Sequence, residues 1–214
     1  MLLLPEHQLH IYSGQTQPRG VKTLARQCLK ELLAAYTNIN VNALHIESSL
    51  NGKPVCKQFP AIQFNIANAN NVFVVAFVRN SRVGIDLEEL ARTVDVKMLA
   101  DFLLSEKERT IFYSTDEYFH REQLINIWTR KEAFVKAYGR GMSFPLQQFE
   151  VSFLPAEIAR VEATHWREAE RNEWYLHSFD LLKSYRGAVA VHGKINSVEI
   201  RDAAAYCRSL KVDL

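Results

Sequence analysis

Between Val21 and Tyr36 the apolar positions recur at helical spacing. Leu24, Cys28, Leu29, Leu32, Leu33 and Tyr36 fall on one broad face, which predicts an amphipathic helix. Asn51-Gly52-Lys53-Pro54 is a strong turn signal. Ile62 to Ile66 reads as a short strand and Asn68-Ala69-Asn70-Asn71 as the polar stretch after it. Val72 to Val78 is a run of β-branched and aromatic residues, turned by Arg79-Asn80-Ser81. Arg82 to Glu88 continues as another strand, and the two predict an antiparallel hairpin.

After Glu88 the pattern changes. Val94 to Leu104 predicts a helix. Ser105 is placed to cap the next one, with Glu108 completing a capping box. A long helix follows from about Asp116 to Tyr138, and Gly139 is suited to end it in a left-handed conformation. Phe149 to Phe153, Trp174 to Phe179 and Ala188 to His192 read as strands of a second sheet, with Trp166, Trp174, Tyr175 and Phe179 as core residues of that half. The expected class is α+β, in two halves covering residues 1–92 and 93–214. No linker separates them, so an extensive interface is expected.

Composition narrows the function classes. The 214 residues are 48% hydrophobic, enough for a sizeable core. With 26 basic and 24 acidic residues the net charge is +2, which argues for neither a nucleic-acid nor a membrane surface. Cys28, Cys56 and Cys207 are odd in number and lack Cys-x-x-Cys spacing, so free thiols in a reducing compartment are expected. Met1 to Leu4 stops at Pro5-Glu6, too short for a signal or membrane segment, and the expected location is cytoplasmic. The seven histidines show no zinc spacing, and no Gly-x-Ser-x-Gly elbow, Walker loop or dinucleotide fingerprint occurs.

Two motifs carry candidate chemistry: Val83-Gly84-Ile85-Asp86-Leu87-Glu88 and Trp128-Thr129-Arg130-Lys131-Glu132-Ala133-Phe134-Val135-Lys136. On a strand, residues two apart share a face, so Asp86 and Glu88 can reach one hard cation such as Mg²⁺ or Mn²⁺. The plainer alternative is a solvated strand end. At about 100° per residue, Lys131 falls in the middle of the long helix's apolar stripe, Glu132 at its edge and Lys136 one turn beyond Glu132. The alternative there is a snorkelling lysine beside a surface Glu–Lys pair.

Together the motifs resemble the signature pair of the 4′-phosphopantetheinyl transferases, in the order and separation of the surfactin-type (Sfp-type) branch. Asn51-Gly52-Lys53-Pro54 is similar to the family's Gly-Lys-Pro turn, Phe64-Asn65-Ile66 to the start of its Phe-Asn-(Ile/Leu)-Ser-His-Ser segment, and Gly139 to Leu146 to its post-helix loop. Ala25 to Lys30 weakly matches an early helix. The resemblance covers residues 20 to 195. It implies two similar halves about a pseudo-twofold axis, each a small antiparallel sheet with a long helix, and coenzyme A in the cleft between them. It implies transfer of the 4′-phosphopantetheine arm to a serine of an acyl or peptidyl carrier protein, with release of 3′,5′-ADP. Asp86, Glu88 and Glu132 would hold magnesium, with manganese as an alternative. Glu132 would also take the serine proton, and Lys136 would neutralise pyrophosphate charge. Lys131 would bind a phosphate of coenzyme A, and Lys53 would approach the adenine and 3′-phosphate side. Because one chain would form the whole cleft, a monomer is expected.

The chain departs from the family pattern at Ala67-Asn68-Ala69, which replaces Ser-His-Ser. Asn68 can donate a hydrogen bond to coenzyme A phosphate but brings no charge, which would weaken that contact by roughly 1–3 kcal/mol. The N-terminal region is short, and Arg19, Lys22 or Arg26 would have to serve the 3′-phosphate, with Arg26 the assigned candidate. Two alternatives stay open: a diverged, non-catalytic module that binds coenzyme A or a carrier, and another two-metal phosphodiester or nucleotide enzyme.

Overall fold

The computed structural model describes residues 2–49, 51–141, 144–153 and 158–211. Strand β1 (Gln8–Gln15) precedes helix α1 (Val21–Thr37). The face of α1 predicted by its periodicity is the buried one, and Asn38 ends the helix in the left-handed region with φ 56°. Strands β2 (Glu47–Ser48) and β3 (Pro54–Val55) flank the Asn-Gly-Lys turn, where Gly52 has φ 78°. Strands β4 (Ile62–Ala69) and β5 (Val72–Arg79) form a hairpin that turns at Asn70 and Asn71, so Asn68 and Ala69 belong to a strand, not to the expected polar stretch.

Strand β6 (Val83–Glu89) carries the first motif. Helices α2 (Val96–Leu103) and α3 (Glu106–Tyr113) follow, α3 opening on the Ser105–Glu108 capping box. Helix α4 (His120–Tyr138) carries the second motif and ends at Gly139, φ 82°. The remaining strands are β7 (Phe149–Val151), β8 (Ile158–Ala159), β9 (Val161–Thr164), β10 (Trp174–Leu181), β11 (Tyr185–His192) and β12 (Ser197–Asp202). Met142 and Ser143, in the loop expected after α4, lie outside the described residues.

Two four-stranded sheets result, in the orders β12-β1-β5-β4 and β6-β11-β10-β8. Their pairs are antiparallel except β1 with β12. Two expectations are corrected here. Strand β6 does not form a hairpin with β5; the chain crosses to the second sheet, where β6 pairs with β11. Strand β7 pairs with β9 in a separate ribbon and is not part of the second sheet. The chain passes from the first sheet to the second between Arg79 and Val83, and β12 returns to the first sheet.

Each sheet carries one long helix. Helix α1 packs Leu29, Leu32 and Leu33 against Phe73, Val75 and Phe77, while α4 packs Leu124, Ile127 and Phe134 against Leu176, Ala188 and Ala190. A third cluster joins the inner faces of the sheets, including Leu9, Ile11, Val74, Ile85, Leu87 and Val189. Burial of such side chains stabilises by about 1.5–3 kcal/mol each, before conformational entropy opposes it. Gly84 lets α4 approach: a Cβ there would sit 2.2 Å from the Ala133 carbonyl oxygen and 2.3 Å from the Ala137 nitrogen. The glycine of the first motif therefore sets how closely the second motif's helix lies to Asp86.

Candidate active site

Strands β4 and β6 are the adjoining edges of the two sheets, and an edge strand leaves backbone groups without ladder partners. Here side chains satisfy those of β6. Lys53 Nζ donates to the Val83 carbonyl at 2.6 Å, Asn65 Oδ1 accepts from the Ile85 N–H at 2.9 Å, and Lys136 Nζ donates to the Ile85 carbonyl at 3.2 Å. These residues line a cleft of about 1060 Å³, together with α1, the β2–β3 turn and the cleft-facing side of α4.

The lining combines two chemistries: an acidic wall from β6 and α4 with Asp86, Glu88, Glu132, Lys136 and Trp128, and a basic wall from α1 and the chain through the β2–β3 turn with Arg26, Lys30, His45 and Lys53 beside apolar residues such as Leu29, Leu44 and Ile66. At the acidic wall Lys136 Nζ lies 2.6 Å from Asp86 Oδ1, whereas Asp86 Oδ2 is buried with no hydrogen-bond partner. Glu88 accepts both its bonds from Arg92, at 2.8 and 2.6 Å, and the Arg92 guanidinium lies 4.4 Å from the Trp128 ring centre. Glu132 is half-buried and makes no hydrogen bond or ion pair among the described residues.

The electrostatics follow from this crowding. Burial raises the pKa of all three carboxylates. The Asp86 charge raises Glu88 and Glu132 further, and Glu88 also raises Glu132, while Lys136 and Arg92 oppose these effects at Asp86 and Glu88. Lys53 is lowered to about 8 by burial and by the charge of Arg82. The three acids are thus close enough to repel one another, and one oxygen of Asp86 lacks a donor. That donor chemistry fits a hard divalent cation. Among the described residues no three metal-ligating side chains are already gathered about one point; Lys136 lies on Asp86 and Arg92 on Glu88.

Lys53, Arg26, Asp86, Glu88, Glu132 and Lys136 line the cleft; Lys131 and Asn68 do not. Lys131 is fully buried in the second half, 2.5 Å from Glu108 Oε2, and donates to the carbonyls of Leu103, Leu146 and Phe149, each at 2.8 Å. Its expected phosphate contact is corrected: those bonds fill the ammonium's donor capacity and tie α2, α3 and the loop after α4 to α4. Asn68 lies on β4 two residues beyond Ile66, past the end of the lining. Arg19 and Lys22 also lie outside it, whereas Lys30 and His45 belong to the basic wall and were not singled out as ligand-binding from sequence. Lys30 is one helical turn from Arg26, and that i, i+4 spacing was the available signal. Arg79 is exposed, and Arg82 stacks over Trp174 and Tyr138 at 5.0 and 5.4 Å.

Comparison with known proteins adds a separate line of support. The family model described as the 4′-phosphopantetheinyl transferase superfamily matches residues 82–190, just over half of the chain. The 4′-phosphopantetheinyl transferase HetI of Nostoc sp. is 27% identical over 161 residues, covering 74% of this chain and 63% of that protein. The 4′-phosphopantetheinyl transferase psf-1 of Bacillus pumilus is 29% identical over 128 residues, covering 60% and 52%. The human L-aminoadipate-semialdehyde dehydrogenase-phosphopantetheinyl transferase is 26% identical over 144 residues, covering 62% and 47%. The matched region thus spans between about half and just under two-thirds of these relatives' lengths.

Proposed function

Because the chain belongs to the 4′-phosphopantetheinyl transferase superfamily, on its Sfp-type branch, we propose that it moves the 4′-phosphopantetheine arm of coenzyme A to a carrier-protein serine. The observation that carries this reading is the cleft itself, whose lining brings three mutually repelling carboxylates together with basic side chains suited to a polyanion. The serine hydroxyl attacks the β-phosphorus of coenzyme A, the bond from that phosphorus to the bridging oxygen breaks, and 3′,5′-ADP leaves.

The chain's residues divide the work by position. Lys53, Arg26, Lys30 and His45 receive the phosphates and nucleoside at the basic wall. Lys136 offsets charge that develops on the pyrophosphate oxygens, where a fixed ammonium in a shielded cleft acts more strongly than in water. Glu132 takes the serine proton, directly or through a water. Asp86, Glu88 and Glu132 would hold magnesium, with manganese as a substitute. When bound, the ion supplies charge neutralisation and orientation of the leaving group. The reading includes an acyl or peptidyl carrier as partner and a cytoplasmic monomer. The three cysteines are free and buried, compatible with a reducing compartment. No helix among the described residues is long and apolar enough to cross a membrane.

The test is incubation with a carrier protein, coenzyme A and Mg²⁺. A gain of about 340 Da on the carrier, the mass of the arm in this phosphoryl transfer, supports the reading, and loss of the gain in Glu132→Ala supports the base assignment. Coenzyme A binding with no mass gain on any carrier supports the second reading, a non-catalytic binding module. The replacement of the family's Ser-His-Ser by Ala67-Asn68-Ala69 motivates that alternative.

A further inference from the structure

We propose that Arg92 is an internal competitor for the divalent cation: it holds Glu88 while the metal is absent and releases it when the metal enters, so that it sets the protein's cation affinity. This deepens the proposed function and rests on its metal reading.

The argument begins with which cation can leave. The acidic wall contains two internal cations, Lys136 on Asp86 and Arg92 on Glu88. Lys136 rises from α4 and also donates to the Ile85 carbonyl, which would lose that donor if Lys136 moved away. Arg92 is different. It lies beyond β6, four residues after Glu88, in a turn where its backbone N–H donates to the Glu89 carbonyl. Its side chain is 46% exposed, whereas that of Glu88 is 13% exposed. Its guanidinium can return to water at little desolvation cost, while the carboxylate it releases remains in the cleft.

Geometry also makes the two partners exclusive. Arg92 Nη1 bonds both Glu88 oxygens, so the carboxylate has its charge balanced from one side. A hard cation needs an oxygen of that same group. Trp128, which lines the cleft, supplies a resting place: the guanidinium stacks on its ring, and that contact does not require Glu88. Arg92 can therefore release the acid without leaving the rim.

The experiment measures Mn²⁺ alone, without coenzyme A or carrier, on the full chain stripped of metal by chelation. Binding is read by electron paramagnetic resonance of free Mn²⁺ and by calorimetry, for wild type, Arg92→Gln, Arg92→Lys and Asp86→Asn. Far-UV circular dichroism checks that each variant is folded. Arg92→Gln should bind Mn²⁺ about three- to fivefold more tightly, the span expected for losing a half-exposed ion pair. Arg92→Lys should fall between it and wild type, because it keeps the charge but loses the planar guanidinium that stacks on Trp128. Equal or weaker binding by Arg92→Gln, with wild type binding and Asp86→Asn not, overturns the lock and leaves the metal reading standing. Absence of Mn²⁺ binding in both wild type and Arg92→Gln overturns both.

Discussion

The Asn65 side chain joins the two sheets: its Oδ1 accepts the Ile85 N–H at 2.9 Å across the gap between β4 and β6, and both residues are buried. Without it that N–H would be buried without an acceptor. Asn65→Leu should therefore cost about 1–3 kcal/mol of stability. It should also lower kcat/KM for arm transfer, because Ile85 immediately precedes Asp86. Urea unfolding and carrier-modification kinetics on the same preparation check both. Unchanged stability would mean that Ile85 finds another acceptor.

Lys131 and Glu108 form a buried pair whose value depends on both members. Lys131→Met leaves the Glu108 carboxylate charged and buried, at an expected cost of about 3–5 kcal/mol. Glu108 also accepts from the backbone N–H groups of Ser105 and Val151. A Glu108→Gln change in the Lys131→Met background should therefore recover part of the loss. Chemical denaturation of the two single variants and the double variant measures the coupling. Coenzyme A affinity, determined while the proteins remain folded, should not move.

Lys53 gives the cleft a pH dependence. Its folded pKa, about 8, is depressed below the ordinary lysine value of 10.5, so the folded state favours the neutral amine. This contribution to stability is complete above the unfolded pKa and is lost as pH falls through 8. An anion at the basic wall needs the charged form, so coenzyme A affinity should fall as pH rises through about 8. Calorimetric titrations from pH 6.5 to about 9.5, bracketing the depressed lysine, should show this limb in wild type and not in Lys53→Arg, which stays protonated.

Gly84→Ala tests the approach of α4. The new Cβ meets backbone atoms of Ala133 and Ala137, not a side chain that can turn aside. Overpacking of this kind typically costs about 1–3 kcal/mol, and contact with helix backbone places the change at the upper end. Because α4 carries Glu132 and Lys136, arm transfer should fall further than the fraction folded. A thermal melt beside a kinetic assay separates the two effects.

Local signals read correctly from sequence were those whose physics is local. The buried face of α1, the Ser105–Glu108 capping box, the Gly52 turn and the Gly139 helix end depend on residues within a turn or two of one another. Residues of both carboxylate motifs line one cleft, to which strand and helix periodicity aim them. Pairing was harder. Strands β5 and β6 are adjacent apolar runs with a turn signal between them, yet β6 pairs with β11 a hundred residues later. Strands β1 and β12 were missed, since neither alternates cleanly and their parallel pairing joins distant parts of the chain. Lys131 on an apolar stripe has two solutions, a cleft or a buried counter-charge. Choosing between them needs the position of Glu108, whose capping role gave no hint of a second task.

The parallel alignment of β12 beside β1 has an outcome for biosynthesis. The second sheet is complete once residue 192 has been translated, whereas the first acquires its outer border only with Ser197–Asp202. Domains that form during translation usually do so from the amino end. Here that order is modified for part of the molecule: β1 gains its second neighbour only after the whole second sheet has been made.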